Sequence, residues 1–282
     1  MLLGTHSGPF HADDVLAAAL IRTFLDAEAK VVRSRDPEVL ATADIVFDVG
    51  HVFDPETRRF DHHQREYEGN RSSAGMVLDF LESEGNIEAP LAEHLRRVLV
   101  DYVDAVDVGA RQPEDGVPCF SMLIGVLNES ANEDFDKLYE RGVAMAMDLV
   151  GGLRDGLARA NAAKEEVQAA MKVAAEAGRK TIRLDRYMKW KPAYFENDGA
   201  NHSTEYVLFP GKGDWRVVTI PVAEGSREDK RKLPEEWGGL EGEELQKITG
   251  TEGAKFCHRN RFIAGFATES AALDALQRWD RA

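Results

Sequence analysis

The sequence predicts an α/β protein with an N-terminal parallel-sheet domain, a helical connector and a smaller C-terminal α+β domain. Over residues 1–131, runs rich in β-branched residues alternate with helical patterns, which indicates a parallel sheet. Residues 132–178 are Ala-rich and charged with few helix breakers, which predicts one or two long helices connecting the halves. Residues 179–282 return to aromatic and β-branched runs and end on a helical pattern.

The N-terminal domain is predicted to run strand, helix, strand, strand, hairpin, helix, helix. Asp13 or Asp14 lies near the start of the first helix, the hairpin turns at Pro55 and Glu56, and Gly85 closes the next helix. The corresponding segments are MLLGTHSG, DVLAAALIRTFL, KVVRS, DIVFDVG, VFDPETRRFDHH, SSAGMVLDFLESEG and PLAEHLRRVLVDYVDAVD.

The C-terminal domain is predicted from four strand-like segments and a closing helix. The strand segments are TIRLDRYM, EYVLFPG, WRVVTIPV and KFCHRNRFIAGF, and the helix is ESAALDALQRW.

Composition restricts the class of protein. Two cysteines without CxxC spacing argue against a disulfide framework or a thiolate zinc site and suit a reducing cytosol. The start of the chain turns polar too soon for a signal peptide, and no apolar run approaches the ~20 residues of a membrane span. We therefore expect a soluble, cytoplasmic protein that does not bind membranes.

The net charge of −15 argues against a nucleic-acid partner, but the charge is uneven. Residues 1–178 hold 17 Lys and Arg against 33 Asp and Glu, a balance of −16, which leaves +1 for residues 179–282. A solvated acidic surface would explain this distribution. So would carboxylates that hold cations in the first half and an anionic substrate that meets the second. Charge alone does not decide between them.

Histidine and aspartate are concentrated early in the chain. They form four groups: His6 with His11, Asp13 and Asp14; Asp48 alone; Asp61 with His62 and His63; and Asp104 with Asp107. Ligands of open α/β sheets bind at the carboxyl ends of the strands, where His6 and Asp48 are expected. Imidazole and carboxylate suit Mn²⁺, Fe²⁺ or Zn²⁺. Two such ions, about 3.5–4 Å apart, can activate a water and neutralise charge on a phosphoryl group.

Structural roles compete with this interpretation. A lone loop histidine such as His51 commonly makes a structural hydrogen bond, and Asp14 is equally well placed to cap the helix that follows. The joint pattern of HxxxxHxDD, a strand-end Asp and a DHH tripeptide is harder to attribute to chance. We therefore expect a metal site in which Asp48 is the shared carboxylate.

The segments THSGPFHADDVLAAA, DVGHVFDPETRRFDHHQ, SSAG and DAVD resemble the melanocyte-proliferating-gene family of metal-dependent hydrolases. That family is related to the DHH phosphoesterases, which include RecJ-type exonucleases and manganese inorganic pyrophosphatases. The resemblance extends over nearly the whole chain through KWK, RKLPEEWGGL, ITG and FCHRNRFIAGF. It implies a DHH-like catalytic domain followed by a substrate-binding domain.

The resemblance also implies site residues. It makes Asp48 the bridging ligand, His63 the contact to the substrate phosphate and Asp61 a carboxylate that orients a ring. The implied metal ligands are His6, His11, Asp13, Asp48, His62 and Asp107, with Asp104 as the alternative to Asp107. The related phosphoesterases usually carry HxxxDxD, so His11 replaces an Asp and changes the charge of the first metal site by one unit. Their GGGH-like element is also missing here.

Further residues are expected to contact substrate. Ser72 and Ser73 could offer backbone N–H groups to an anion at a helix N-terminus, or could simply cap that helix. Basic side chains near the phosphate or in the second domain could hold it, although surface exposure alone would also explain them. This set comprises Arg65, Arg227, Arg231, Lys232, His258 and Arg259. Trp190 could stack a base, whereas a core position is the more common outcome for tryptophan.

Together these features predict a metal-dependent phosphoesterase that cleaves phosphodiester bonds with two divalent ions and a hydroxide. The resemblance implies a 3′→5′ exonuclease acting on single-stranded RNA or short oligonucleotides. Mn²⁺ is the first choice of metal, with Mg²⁺, Fe²⁺ and Zn²⁺ as alternatives. A small-molecule phosphatase or pyrophosphatase, a mononuclear zinc hydrolase and a metal-stabilised binding protein without catalysis are the rival functions. A homodimer is left open.

Overall fold

The computed structural model describes residues 1–129 and 134–281. It is a mixed α/β structure with two five-stranded sheets. The chain divides into two compact units, Met1–Leu157 and Ala158–Ala282. The predicted boundary between residues 131 and 132 lies outside the described residues, and the division into two domains and a connector stays a prediction.

The first unit contains the elements expected from its sequence and two short additional helices. The strands are β1 (Leu2–Thr5), β2 (Lys30–Arg33), β3 (Ile45–Phe47), β4 (Phe53–Asp54) and β5 (Arg59–Phe60). The helices are α1 (Ala12–Phe24), α2 (Pro37–Leu40), α3 (Ser73–Ser83), α4 (Ala89–Leu95), α5 (Asp101–Asp107) and α6 (Phe120–Asn128). A π-helical turn, Arg96–Val100, joins α4 to α5. Helices α2 and α6 are the two that the sequence patterns did not predict.

The sheet of the first unit has the order β2-β1-β3-β5-β4. The pairs β1–β2, β1–β3 and β3–β5 are parallel, whereas β4 pairs antiparallel with β5 in the hairpin. The parallel-sheet prediction therefore holds for four strands, and the hairpin adds an antiparallel edge. Because β1, β3 and β5 are parallel, their carboxyl ends lie along the same edge of the sheet.

The apolar segments of the sequence that predicted β3 and α1 are buried in the structure. All three residues of β3 are buried, which is typical of a strand covered on both faces. Helix α1 is buried continuously from Ala12 to Ile21, where small alanine side chains allow close packing against α3. The apolar core of this unit also includes Tyr139 and Val143 from the start of helix α7 (Phe135–Glu176).

Helix α7 is one uninterrupted helix of 42 residues, and its glycines at 142, 151, 152 and 156 do not end it. In the second unit, its later part places Ala163, Val167 and Met171 in an apolar cluster of that unit. The division between the two units falls within this helix.

The second unit contains a sheet with the order β6-β7-β8-β10-β9. Its strands are β6 (Thr181–Arg183), β7 (Tyr206–Pro210), β8 (Trp215–Thr219), β9 (Ala254–Cys257) and β10 (Ile263–Phe266). Its helices are α8 (Trp190–Glu196), α9 (Gly242–Thr249) and α10 (Glu269–Arg281), with a 3₁₀ turn at Glu235–Trp237. Only β6–β7 is parallel, and the other pairs are antiparallel, as expected for an α+β unit.

The cysteines and the helices bear on the expectations drawn from composition. Cys119 and Cys257 are both free thiols. Across the described ranges 1–129 and 134–281, every helix is too short or too polar to cross a lipid bilayer.

Candidate metal centre

The site lies at the carboxyl edge of the first sheet. His6 directly follows β1, Asp48 follows β3 and Asp61 follows β5. Helix α1 begins beside them and brings Asp13 and Asp14 in its first turn. Parallel strands thus gather side chains that are far apart in sequence, as expected for an open α/β sheet.

Asp48 is the centre of the arrangement. Its Oδ2 lies 3.3 Å from Nε2 of His6, and its Oδ1 lies 3.5 Å from Nδ1 of His63 and 4.0 Å from Nδ1 of His62. The residue has a φ of 56°, a left-handed conformation that is uncommon outside glycine. Such strain persists where surrounding contacts over-determine it, and here the Asp48 N–H donates to the carbonyl of Phe60 at 3.1 Å.

Asp13 and Asp14 add two fully buried carboxylates. In the described part of the chain, neither Oδ1 nor Oδ2 of Asp13 has a hydrogen-bond partner, and the same holds for Asp48. Burial raises the pKa of Asp13 well above its usual value, and the neighbouring charges of Asp48 and Asp107 raise it further. A buried carboxylate without donors is costly unless a cation compensates it.

Asp14 has a divided role. Its Oδ1 accepts hydrogen bonds from the N–H groups of His11 and Val15, at 2.9 and 2.8 Å, as a helix-capping residue does. Its Oδ2 points instead toward Nε2 of His6 at 3.4 Å. Burial and the nearby Asp48 raise the pKa of Asp14 to about 7. Asp14 therefore has the expected capping role through Oδ1, while Oδ2 faces His6.

His62 connects Asp48 with the end of helix α5. Its Nε2 lies 2.9 Å from Oδ2 of Asp107. Burial opposes protonation of His62, but the hydrogen bond that its ring donates to Asp107 outweighs this effect, so the pKa of His62 is raised. The pKa of Asp107 is lowered: burial opposes the shift, and the hydrogen bond from His62 outweighs it. Asp107 thus belongs to the cluster.

Asp104 lies elsewhere. Its Oδ1 accepts hydrogen bonds from the Ser72 N–H at 3.1 Å, the Ser72 hydroxyl at 2.6 Å and the Gly75 N–H at 3.1 Å. Its Oδ2 lies 3.2 Å from the Arg71 guanidinium. The geometry therefore favours Asp107 over Asp104 as the ligand. A Cβ added at Gly75 would lie 2.2 Å from Asp104 Oδ2, which explains the glycine in the SSAG segment.

The same contacts bear on the serines expected to bind substrate. Ser72 and Ser73 are fully buried, and the Ser73 hydroxyl donates to the carbonyl of Phe60 at 2.9 Å. The Ser72 and Gly75 N–H groups at the start of α3 already bind the Asp104 carboxylate. The Ser72 side chain makes no capping hydrogen bond, so the anion at the N-terminus of α3 is the Asp104 carboxylate. Contact of these serines with substrate stays a prediction.

Asp61 and His63 form an orienting pair. Oδ1 of Asp61 lies 2.8 Å from Nδ1 of His63 and accepts the His63 N–H at 3.0 Å, while Oδ2 accepts the His51 N–H at 2.7 Å. Burial opposes ionisation of Asp61, but these hydrogen bonds outweigh it and lower its pKa. An ionised Asp61 only accepts, so Nδ1 of His63 carries the proton and Nε2 is left for another partner.

The two adjacent histidines have different exposures. The His62 side chain is 8% exposed and that of His63 is 51% exposed, although their ring centroids are only 4.2 Å apart. Residues 61–63 follow β5 without regular structure, so their side chains need not alternate as in a strand. One ring therefore reaches the buried carboxylates and the other faces the open side.

The donor atoms fit divalent cations. Among the described residues, four overlapping groups of potential ligands have donor atoms within 4.8 Å of one another: Asp48 with Asp61, His62 and His63; His6 with His11 and Asp48; His11 with Asp13 and Asp107; and Asp13 with Asp14 and Asp48. Asp48 belongs to three of them. Unpartnered buried carboxylate oxygens and a set of imidazole and carboxylate donors without thiolate are what a site for Mn²⁺, Fe²⁺ or Zn²⁺ requires.

A cavity of about 130 Å³ opens beside these residues and is lined by His6, His11, Asp48, Asp61 and His63, together with Arg35, Val49, Gly50 and His51. Sequence reasoning missed Arg35. The position was recognisable, since the residue follows β2 at the same carboxyl edge of the sheet. Arg65, which was expected to bind phosphate, is exposed and does not line this cavity.

The basic residues of the second unit that were predicted to contact substrate differ in exposure and in partners. Arg231 pairs with Glu205 and Asp280 and stacks on Trp279 at 3.8 Å. Arg227, Lys232 and Arg259 are exposed, and Nδ1 of His258 accepts the Asn260 N–H. Their contact with substrate stays a prediction. Trp190 is 4% exposed within an apolar cluster, so the core alternative is correct for it.

Comparisons with known proteins identify the family of this chain. Residues 2–278 match the family model MYG1_exonuc, described as an uncharacterised protein family (UPF0160). The MYG1 protein of Chlamydia trachomatis serovar D is 37% identical over 279 residues, covering 97% of this chain and 94% of its own length. The human MYG1 exonuclease is 30% identical over 316 residues, covering 96% of this chain and 83% of its own length.

Among solved structures, RecJ from Thermus thermophilus in complex with Mn²⁺ matches with a TM-score of 0.27 and 16% identity. The match covers 99% of this chain and 52% of that one, so the chain spans about half the length of RecJ.

Proposed function

Because this chain belongs to the MYG1_exonuc family and is a hydrolase of that family, we propose that it is a metal-dependent phosphoesterase that cleaves phosphodiester bonds. Its proposed activity is that of a 3′→5′ exonuclease on single-stranded RNA or short oligonucleotides. The name exonuclease is carried by mammalian relatives that match nearly the whole chain. The sequence motifs connect the family with phosphoesterases, and the site supplies residues suited to that chemistry.

One observation carries the proposal. Both carboxylate oxygens of Asp48 are buried and lack a hydrogen-bond partner within residues 1–129 and 134–281, yet imidazoles approach them from two sides. A structural aspartate would be expected to use its oxygens in hydrogen bonds, as Asp104 does. The Asp48 carboxylate instead has the surroundings of a bridging metal ligand.

We assign the cations to His6, His11, Asp13, Asp48, His62 and Asp107. Two divalent ions, Mn²⁺ by preference, would when bound lower the pKa of the attacking water and neutralise charge that develops on the phosphoryl group. Asp48 belongs both to the ligand group that contains His6 and to the ligand group that contains His62. Two neighbouring cations would need such a shared carboxylate.

His63 would hold the substrate. Its ring is half exposed at the cavity, and Asp61 fixes Nδ1, so Nε2 can donate to a phosphate oxygen when the ring is protonated. The ionised Asp61 also stabilises the positive charge on that ring. Asp61 is thus a positioning residue, and His63 is the group that touches substrate.

The test compares two substrates. Wild-type protein and Asp48→Asn are incubated with 5′-labelled single-stranded RNA and with pyrophosphate, each with Mn²⁺ or with EDTA. The proposal expects a manganese-dependent ladder of shortened 5′-labelled RNA that the substitution abolishes. Cleavage of pyrophosphate alone would keep the metal site and replace the substrate class. Cleavage of neither, by protein that retains no manganese, would overturn the proposal in favour of a binding protein.

A further inference from the structure

A second cavity adjoins the proposed phosphate site. It has a volume of about 520 Å³ and shares Arg35, Val49, Gly50 and His51 with the 130 Å³ cavity beside the aspartates. Its other walls are largely apolar and include Pro37, Leu40 and Val52. The smaller cavity has room for a phosphate group, whereas the larger falls within the roughly 300–1,000 Å³ of small-ligand pockets.

Arg35 stands between the two cavities. It is exposed, and its guanidinium lies 3.3 Å from Nδ1 of His6. Throughout the part of the chain that the structure describes, no carboxylate lies within 4.0 Å of this guanidinium. Arg33, two residues earlier, is different: it pairs with Asp136 at 3.0 Å, donates to Gly8 and stacks on Tyr139. Arg33 therefore has a structural role, and Arg35 retains donors for an anion.

The other polar residues of the larger cavity, Arg59 and His51, differ in their capacity to bind a ligand. Arg59 donates to the carbonyls of Thr57, Arg58 and Ala43, so it forms a wall and has little capacity for a ligand. His51 is exposed at the junction, with a φ of 56° and its N–H bound to Asp61. His51 lines both cavities, so its side chain is at their junction.

A third cavity of about 410 Å³ adjoins His11 and Asp107 on the other side of the site. Apart from His11, its lining contains no basic residue, and it includes the Asp107 carboxylate. A ligand that carries phosphate would gain less there than beside Arg35, because opposite charges attract and like charges repel.

We propose that the cavity beside Arg35 is a nucleoside subsite, in which Arg35 binds the substrate phosphate and the apolar walls receive the attached base. The inference rests on the proposed phosphoesterase function and adds a specificity element to it. Guanidinium donors suit phosphate oxygens, and an apolar pocket suits the faces of a base. The subsite lies wholly within the first unit, so it gives the N-terminal half a means of distinguishing a nucleotide from free phosphate.

The experiment measures binding of AMP and of inorganic phosphate to the manganese-loaded full chain by isothermal titration calorimetry. Val52→Trp fills the pocket from its solvent side, since Val52 is 45% exposed, and Arg35→Leu removes the guanidinium. Val98→Trp, at a position 44% exposed, is the matched control for the first. Arg97→Leu is the control for the second, because Arg97 is also exposed and contacts a histidine Nδ1, that of His94, at 3.2 Å.

Wild-type protein is expected to bind AMP at least about tenfold more tightly than phosphate. Val52→Trp should remove that difference and leave phosphate binding unchanged, and Arg35→Leu should weaken both ligands by about tenfold. Both controls should match wild type. Equal wild-type affinity for AMP and phosphate, or unchanged AMP binding in Val52→Trp, would overturn the subsite. RNA shortening without preferential AMP binding would refute the subsite alone, and AMP binding without hydrolysis would refute the proposed function alone.

Discussion

Nε2 of His62 lies 2.9 Å from Oδ2 of Asp107, which brings the DHH segment and the end of helix α5 into one cluster. Asp104, one helical turn earlier, instead binds the N-terminus of α3 through Ser72 and Gly75. Two aspartates of the same short helix therefore have separate roles, one at the proposed metal centre and one in holding two helices together.

This difference predicts opposite phenotypes for two matched substitutions. Asp107→Asn should lower the metal content and reduce activity by at least about 100-fold, because a ligand should matter more than a supporting group. Asp104→Asn should keep the metal content but lower the free energy of unfolding by about 1–3 kcal/mol, because it weakens buried hydrogen bonds. Metal analysis after dialysis and urea denaturation measure the two effects. Metal loss in Asp104→Asn with normal content in Asp107→Asn would reverse our assignment.

Substitution of His62 and of His63 should also have different effects. His62→Gln should lose metal, because the buried ring lies between Asp48 and Asp107. His63→Gln should retain metal and raise KM for the substrate, because its half-exposed ring is assigned to the phosphate. Manganese content and steady-state kinetics are the measurements. Equal metal loss in both variants would show that His63 is a ligand as well.

Asp61→Asn tests the orienting role of Asp61. The amide can no longer stabilise a protonated His63, so we expect activity to fall about 10- to 100-fold with manganese content unchanged. A purely structural role would lower the free energy of unfolding and leave the activity of the folded protein unchanged.

Removal of Asp13 tests whether the carboxylates are arranged for a cation. In EDTA, Asp13→Asn should stabilise the protein by about 1–3 kcal/mol, because folding of the wild type must either protonate this carboxylate or bury it as an unpaired charge. In Mn²⁺ the same variant should be less stable than wild type. Thermal unfolding in both conditions measures this crossover, and destabilisation in EDTA would indicate that Asp13 supports the fold without metal.

The pH dependence of metal-free stability follows from the same groups. The pKa of Asp14 is raised to about 7 by burial and by Asp48, and that of Asp13 is raised as well. A group with a raised folded-state pKa stabilises the fold at low pH, and that contribution is lost as pH rises through the folded value. The raised pKa values of His6 and His62 act in the same direction.

In EDTA, the melting temperature should therefore fall between about pH 5 and pH 8, and the increase produced by Mn²⁺ should grow over that interval. Differential scanning calorimetry with and without the metal measures both trends. Asp13→Asn serves as the control, with a shallower slope. A metal-free melting temperature that rises over this range would contradict the charge repulsion that we infer.

Much of the site was accessible from sequence because strand ends can be located. The segments MLLGTHSG and DIVFDVG each contain a strand, and His6 and Asp48 directly follow these strands. Because the two strands pair in parallel, their carboxyl ends bring His6 and Asp48 together. The helix pattern after His11 likewise places Asp13 and Asp14 in the first turn. These inferences need only the directions of strands and helices.

The choice between Asp104 and Asp107 was not accessible in that way. The two residues are three apart on one helix, so their side chains share roughly one face. A π-helical turn at Arg96–Val100 also shifts the phase of α5 relative to α4, and the helical period of the sequence does not reveal that shift. Arg35 was missed for a different reason: it follows β2 at the carboxyl edge of the sheet, but a single arginine belongs to no sequence motif that would single it out.

Counting manganese ions per chain tests the central claim most directly. Wild-type protein equilibrated with excess Mn²⁺ and separated from free metal should hold two ions per chain. Asp48→Asn should lose the second ion, because the shared carboxylate belongs both to the ligand group of His6 and to that of His62. One ion per wild-type chain, with the same value for Asp48→Asn, would contradict a two-metal centre bridged by Asp48.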